Sequence, residues 1–181
     1  MTAPSFWPGL RLIAGILPVL LVMLAVACKG SSHPTELRRL DPYPLQLDTP
    51  AGWTGGGAGG TLEFHGPDGS GRVRVGRLEG AVTLQGLRDA QLLSQTGANL
   101  TDVHAKASPT RINGVPALRA RLAASDGRVY EVVAVQLPGV GVVLVQASLP
   151  ADAAADEGGE GARLFSVVRQ SLKYTGPPVV P

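Results

Sequence analysis

The chain has 181 residues, 16 Lys and Arg against 14 Asp and Glu, and a single cysteine. That balance excludes the strong basic excess of a nucleic-acid-binding domain, and one thiol excludes an internal disulfide or a cysteine-rich metal site. The 24 glycines and 15 prolines are spread along the chain as turn punctuation, which favours many short connections and hence strands.

Residues 1–11 contain one charge, Arg11, and residues 12–27 contain none. A positive start, an apolar stretch and small residues before a cut are the pattern of a secretory signal. The uncharged run is sixteen residues, short of the roughly 20 that a membrane-spanning helix needs, and Pro18 interrupts it. Residues 1–27 are therefore expected to be a signal-peptide helix cut between Ala27 and Cys28. The run closes on Leu24-Ala25-Val26-Ala27-Cys28, which resembles the lipobox of bacterial lipoproteins, with Ala25 where leucine is most usual. The resemblance implies that Cys28 carries the lipid, palmitate or a similar acyl chain, and that the protein meets the membrane through it. Lys29 then leans toward an outer-membrane location. A secreted protein with a free Cys28 and an uncleaved N-terminal anchor both stay open; all three readings export residues 29–181.

Residues 28–41 read as a flexible polar tether, with Arg38 and Arg39 near anionic headgroups or simply solvated. The 154 residues after the leader, 181 less 27, fit one domain, placed at 42–175, with residues 176–181 as a disordered tail. Tyr43–Thr49 alternates as a strand that Pro44 pushes toward a sheet edge. Gly55 to Gly60 reads as a flexible loop; no Lys follows to make it a phosphate cradle. Thr61–His65 is strand-like, Gly66-Pro67-Asp68-Gly69 is a turn, and Arg72–Leu78 alternates as a half-buried strand. Thr83–Gln95 reads as a helix capped by Thr83, and Leu100–Ile112 as a strand.

Asn113-Gly114 signals a type I′ hairpin. Val115–Ala124 then puts Leu118, Ala120, Leu122 and Ala124 on one face and Arg119 and Arg121 on the other. Ser125-Asp126-Gly127 and Pro138-Gly139 mark the next two turns. Between and after them, Arg128–Leu137 and Val140–Leu149 are nearly apolar on both faces, as expected of central strands covered on each side. Pro150–Gly161 reads as an acidic loop. Ala162–Leu172 carries Leu164, Phe165, Val168 and Leu172 on one helical stripe. The order predicts an α+β fold: an antiparallel sheet of about six to seven strands with two main helices packed on it.

Three segments resemble PsbP-like domains: Leu47-Asp48-Thr49-Pro50-Ala51-Gly52-Trp53, Ile112-Asn113-Gly114-Val115-Pro116-Ala117, and Phe165 to Leu172. The DcrB-type and LpqN-type bacterial lipoproteins share these features. The resemblance spans residues 42–174 and implies the fold, together with a non-catalytic role as an envelope subunit or binding module. It carries over no site residues.

The residues themselves show no catalytic constellation and no cofactor motif. His33, His65 and His104 are far apart and lack the second ligand a metal site needs. No Gly-x-Ser-x-Gly elbow occurs. Arg72, Arg74, Arg119, Arg121 and Arg128 sit on strands, several at spacing two, and are expected to form one basic face for an anionic partner: an envelope protein, a polymer or lipid headgroups. The expected function is a lipid-anchored, non-catalytic binding or structural module of the cell envelope. A carrier of a hydrophobic ligand and a small exported hydrolase are the alternatives.

Overall fold

The computed structural model describes residues 34–80, 83–87, 107–155 and 160–178. The leader with Ala27 and Cys28, the tether up to residue 33, most of the helix expected over 83–95, residues 100–106 of the following strand and residues 179–181 of the tail lie outside the described residues.

In chain order the elements are β1 (Thr35–Arg39), β2 (Leu45–Pro50), β3 (Thr54–Ala58), β4 (Thr61–His65), β5 (Arg72–Arg77), β6 (Ser108–Ile112), β7 (Val115–Ala123), β8 (Arg128–Leu137), β9 (Gly141–Pro150), α1 (Ala151–Ala155), α2 (Glu160–Ser171) and β10 (Lys173–Tyr174). The described strands build a seven-stranded sheet in the order β3-β4-β5-β9-β8-β7-β6 and a three-stranded sheet in the order β1-β2-β10. Every pairing is antiparallel. The α+β architecture with an antiparallel sheet and packed helices is the one the sequence pattern predicts.

The hairpins form where the turn residues place them. Asn113 and Gly114 both adopt positive φ, 48° and 85°, as a two-residue type I′ turn requires. β8 and β9 lie inside the large sheet and bury both faces. On one face Val133, Val135, Val143, Val145, Val73 and Val75 join Leu45 and Leu47 of β2 and the α2 stripe of Leu164, Phe165, Val168 and Leu172. On the other face Ala120, Leu122, Val132, Ala134, Val142 and Leu144 cluster with Leu78 and Leu87. The large sheet is thus the middle layer, and its central strands carry no solvated face over most of their length.

Besides β2, expected at a sheet edge but found between β1 and β10, three stretches differ from the sequence reading. Residues 35–39, expected to be tether, form β1 on the edge of the small sheet. The cause is Arg38. Its guanidinium donates to Thr49 Oγ1 at 3.2 Å, to the Trp53 carbonyl at 2.6 Å and to Glu36 at 2.5 Å. A charge that reads as solvated is here spent on satisfying inward acceptors.

The glycine run, expected to be a loop, forms β3 on the edge of the large sheet, paired to β4 from Thr54↔His65 to Ala58↔Thr61. A Cβ at Gly57 would lie 1.9 Å from the Thr61 carbonyl oxygen, and one at Gly55 would lie 2.1 Å from that of Glu63. Glycine is what lets this backbone come so close. Strand pairing is a main-chain bond and needs no side chain.

The third difference is α1, which occupies residues 151–155 of the expected acidic loop, with Ala154 buried. The run of alanines has the highest helix propensity of any residue. Residues 83–87, the described start of the helix expected over 83–95, form a turn in which Thr83 Oγ1 accepts the Gly86 N–H at 3.2 Å.

Candidate functional site

Strand register decides where the five arginines go. Leu118, Ala120 and Leu122 belong to the cluster on the face away from α2, so Arg119 and Arg121 alternate onto the α2 face. Val73 and Val75 belong to the α2 face, so Arg72 and Arg74 point the other way, as does Arg128, whose neighbour in alternation is Tyr130. The single basic face expected of Arg72, Arg74, Arg119, Arg121 and Arg128 is therefore split between two sides of the sheet. The physical reason is that alternation fixes faces within a strand but not between strands.

Arg119, half-buried, and Arg121, exposed, are both committed to contacts on the α2 face. Arg121 stacks over the Phe165 ring, 5.1 Å from its centroid. Arg119 Nε lies 3.6 Å from Oε1 of Glu131, and Arg169 Nη2 of α2 lies 3.4 Å from Oε2. Glu131 is 1% exposed. The Arg119 Nε and Glu131 Oε1 atoms face each other buried and without a hydrogen bond. This triad clamps α2 to the sheet through ionic attraction. Arg128 is also committed: it donates to the Ser70 carbonyl at 2.6 Å and to the carbonyl and hydroxyl of Ser148 at 3.2 and 3.3 Å. Arg72 pairs with Glu63 at 3.0 Å.

Arg74 is exposed and has no ion-pair or hydrogen-bond partner among the described residues, and the same holds for the guanidinium of Arg77. The sequence reading missed Arg77 because it falls on the strand parity of Val73 and Val75. It escapes burial because β5 ends there, at the rim of the sheet. Gly76 lies between Val75 and Arg77, two places after Arg74, and its missing side chain leaves Thr61 Oγ1 3.6 Å from where a Cβ would stand. A cleft of about 670 Å³ opens at this end, lined by Tyr43, Gly60, Thr61, Arg77, Glu79 and Val140 among others. A second hollow of about 160 Å³ adjoins it, bounded by Arg74, Arg77 and Gln146. The larger one lies in the range of roughly 300–1,000 Å³ found for ligand sites.

Tyr43 makes this rim rigid. Its hydroxyl donates to the Gly60 carbonyl and accepts the Arg77 N–H at 3.0 Å. The side chain is buried and reaches from the segment before β2 to the large sheet. The backbone that carries Arg77 is thus held while the guanidinium stays free. Two cations beside a hydroxyl and a glycine can receive an anionic group, and Glu79 also lines the larger cleft.

Among the described residues no three His, Cys, Asp or Glu side chains converge as metal ligands. Asp126 is used by Tyr130, whose hydroxyl donates to its carboxylate at 2.8 Å. The space between sheet and α2, where a hydrophobic ligand would have to lie, is filled by Leu164, Phe165, Val168 and Leu172.

Burial, and then the hydrogen bond to Asp126, raise the Tyr130 pKa above its ordinary value of 10.0. A raised phenol contributes stability that is complete below the unfolded pKa and is lost as pH climbs through the folded one. The expected result is a fall in the urea midpoint above about pH 10 that is smaller in Tyr130→Phe, read by comparing the two proteins' midpoints at pH 9 and pH 11.

No protein-family model matches the chain, and no curated protein matches it by sequence. Among solved structures it is similar to the solution structure of cyanobacterial PsbP (CyanoP) from Synechocystis sp. PCC 6803. The two share 15% identity over 81% of this chain and 96% of that chain, with a TM-score of 0.51. At that identity the likeness is one of architecture: the fold is PsbP-like.

Proposed function

We propose that this chain is an exported lipoprotein, held at a membrane by acylated Cys28, whose body is a non-catalytic module that binds an anionic group on another envelope component. The observation that carries the binding half is the pair of guanidiniums without partners among the described residues: Arg77, which lines both the cleft and the adjoining hollow, and Arg74, which lines the hollow. The anchoring half rests on the lipobox. Anchoring raises the effective concentration of the body for partners at the same membrane, so a modest cleft suffices.

The test has two arms. A photo-crosslinking side chain placed at Thr61 is expected to capture a defined partner in the native envelope. The double substitution Arg74→Glu, Arg77→Glu should lower that capture at least tenfold while leaving the urea midpoint unchanged. Capture that survives the charge reversal would remove the cleft from the proposal. In the second arm, Cys28→Ala should abolish incorporation of a labelled fatty acid and move the protein out of the membrane fraction.

A further inference from the structure

The small sheet has an outer face that the core does not use. On β1, Arg38 turns inward to Thr49 and the Trp53 carbonyl. Thr35, Leu37 and Arg39 alternate to the opposite side. Register carries this face across the sheet: Leu37 lies opposite Asp48, Arg39 opposite Gln46, and Lys173 opposite Gln46 from the other flank. Arg39 and Lys173 therefore stand in one row, two strand spacings or about 10 Å apart. Both are exposed. Leu37, one row along, is 58% exposed, the one large hydrophobic side chain so exposed among the described residues. Asp48 is the acid on this face, half-buried beside Leu37.

An exposed leucine one row from two cations is a combination that binds an anionic bilayer: the apolar side chain enters the headgroup boundary while the charges meet lipid phosphates. The chain supplies a reason for that occupant. Only residues 29–34 separate Cys28 from the start of β1. Six residues span at most about 20 Å even when fully extended, so acylation of Cys28 would hold β1 within reach of the surface. We propose that the outer face of the β1-β2-β10 sheet, through Leu37, Arg39 and Lys173, rests on the anionic bilayer to which the chain is anchored. This assignment depends on the lipoprotein reading and adds an orientation to it: the body lies on the membrane by a chosen side.

The lone cysteine makes the test clean. If Cys28 carries lipid, a cysteine introduced elsewhere is the one thiol free to take a fluorophore. Full-length Leu37→Cys and, as a control, His65→Cys are processed in the host, purified, labelled with an environment-sensitive dye and reconstituted. His65 is on the face of the large sheet away from the small sheet, at the position opposite Arg72. Vesicles are phosphatidylcholine with or without phosphatidylglycerol, each containing a lipid with a quencher near the headgroup. In anionic vesicles the dye at position 37 is expected to be quenched at least threefold more than the dye at position 65. Arg39→Glu with Lys173→Glu should bring the ratio close to one, since each charge near such a surface changes partitioning about fivefold. Equal quenching at the two positions, or a difference that persists after charge reversal and in neutral vesicles, overturns the proposal. Mass analysis separates the underlying reading: a chain that takes two dyes has a free Cys28, and that result sinks the anchor whatever the fluorescence shows.

Discussion

Phe165→Ala is expected to lower the stability of the protein by about 3–5 kcal/mol, the range for emptying a buried aromatic site. The side chain is 1% exposed and is the largest of those fully buried. It lies where α2 meets the large sheet, among the valines of β8 and β9 and the leucines of β2. Truncation loses the burial of the ring and leaves a void that the flat, paired strands cannot close. It also removes the ring face over which the exposed Arg121 sits. Urea unfolding followed by tryptophan emission measures the effect, since Trp53 belongs to the same core. Phe165→Leu should cost much less because it refills most of the volume. A midpoint for Phe165→Ala equal to that of the parent would show that α2 does not close the core.

Arg119→Met is expected to cost roughly 3 kcal/mol, the second largest loss, and more than Glu131→Gln. Removing one member of a buried ion pair strands the other, and a stranded buried charge is the expensive outcome. The asymmetry follows from exposure. Glu131 has almost no contact with water, whereas the side chains of Arg119 and Arg169 are 28% and 43% exposed. Without Glu131 both arginines can turn toward solvent. Without Arg119 the carboxylate keeps only Arg169, at 3.4 Å. Replacing the pair together, Arg119→Met with Glu131→Leu, should recover most of the loss. Chemical denaturation of the three variants checks the order, and a Glu131→Gln loss larger than that of Arg119→Met would contradict it.

How much of this was legible beforehand differs from strand to strand, for physical reasons. The β7-β8-β9 meander was readable because its connections carry strong turn residues and β8 and β9 bury both faces. The same hairpin reveals only part of the ion pairing. A turn centred on Asp126 sets Arg121 opposite Glu131, which is the observed register, yet the carboxylate pairs with Arg119 on the same face and with Arg169 of α2. What composition hides is the sign of a face. Arg119 and Arg121 look like a solvated edge, yet they meet an acid on the next strand and an aromatic ring on a helix that follows much later. β1 was illegible for a related reason: it borrows its stability from Thr49 and Trp53, residues beyond its own segment. β3 was illegible because its glycines form strand through close backbone approach, a property that no side-chain pattern reports. The free cation at Arg77 could have been found by asking where β5 runs out of neighbours, since parity predicts burial only inside a sheet.

The glycines of β3 have one more effect. An open sheet margin exposes a row of main-chain groups that can accept a foreign strand. Here one margin, Thr54 to Ala58, has three consecutive glycines and almost nothing for an incoming chain to grip. The opposite margin, β6, carries Pro109 and Arg111, a missing donor and a charge. Both borders are only five residues long. Copies gathered side by side at high density would therefore find poor purchase for stacking sheet upon sheet into fibres.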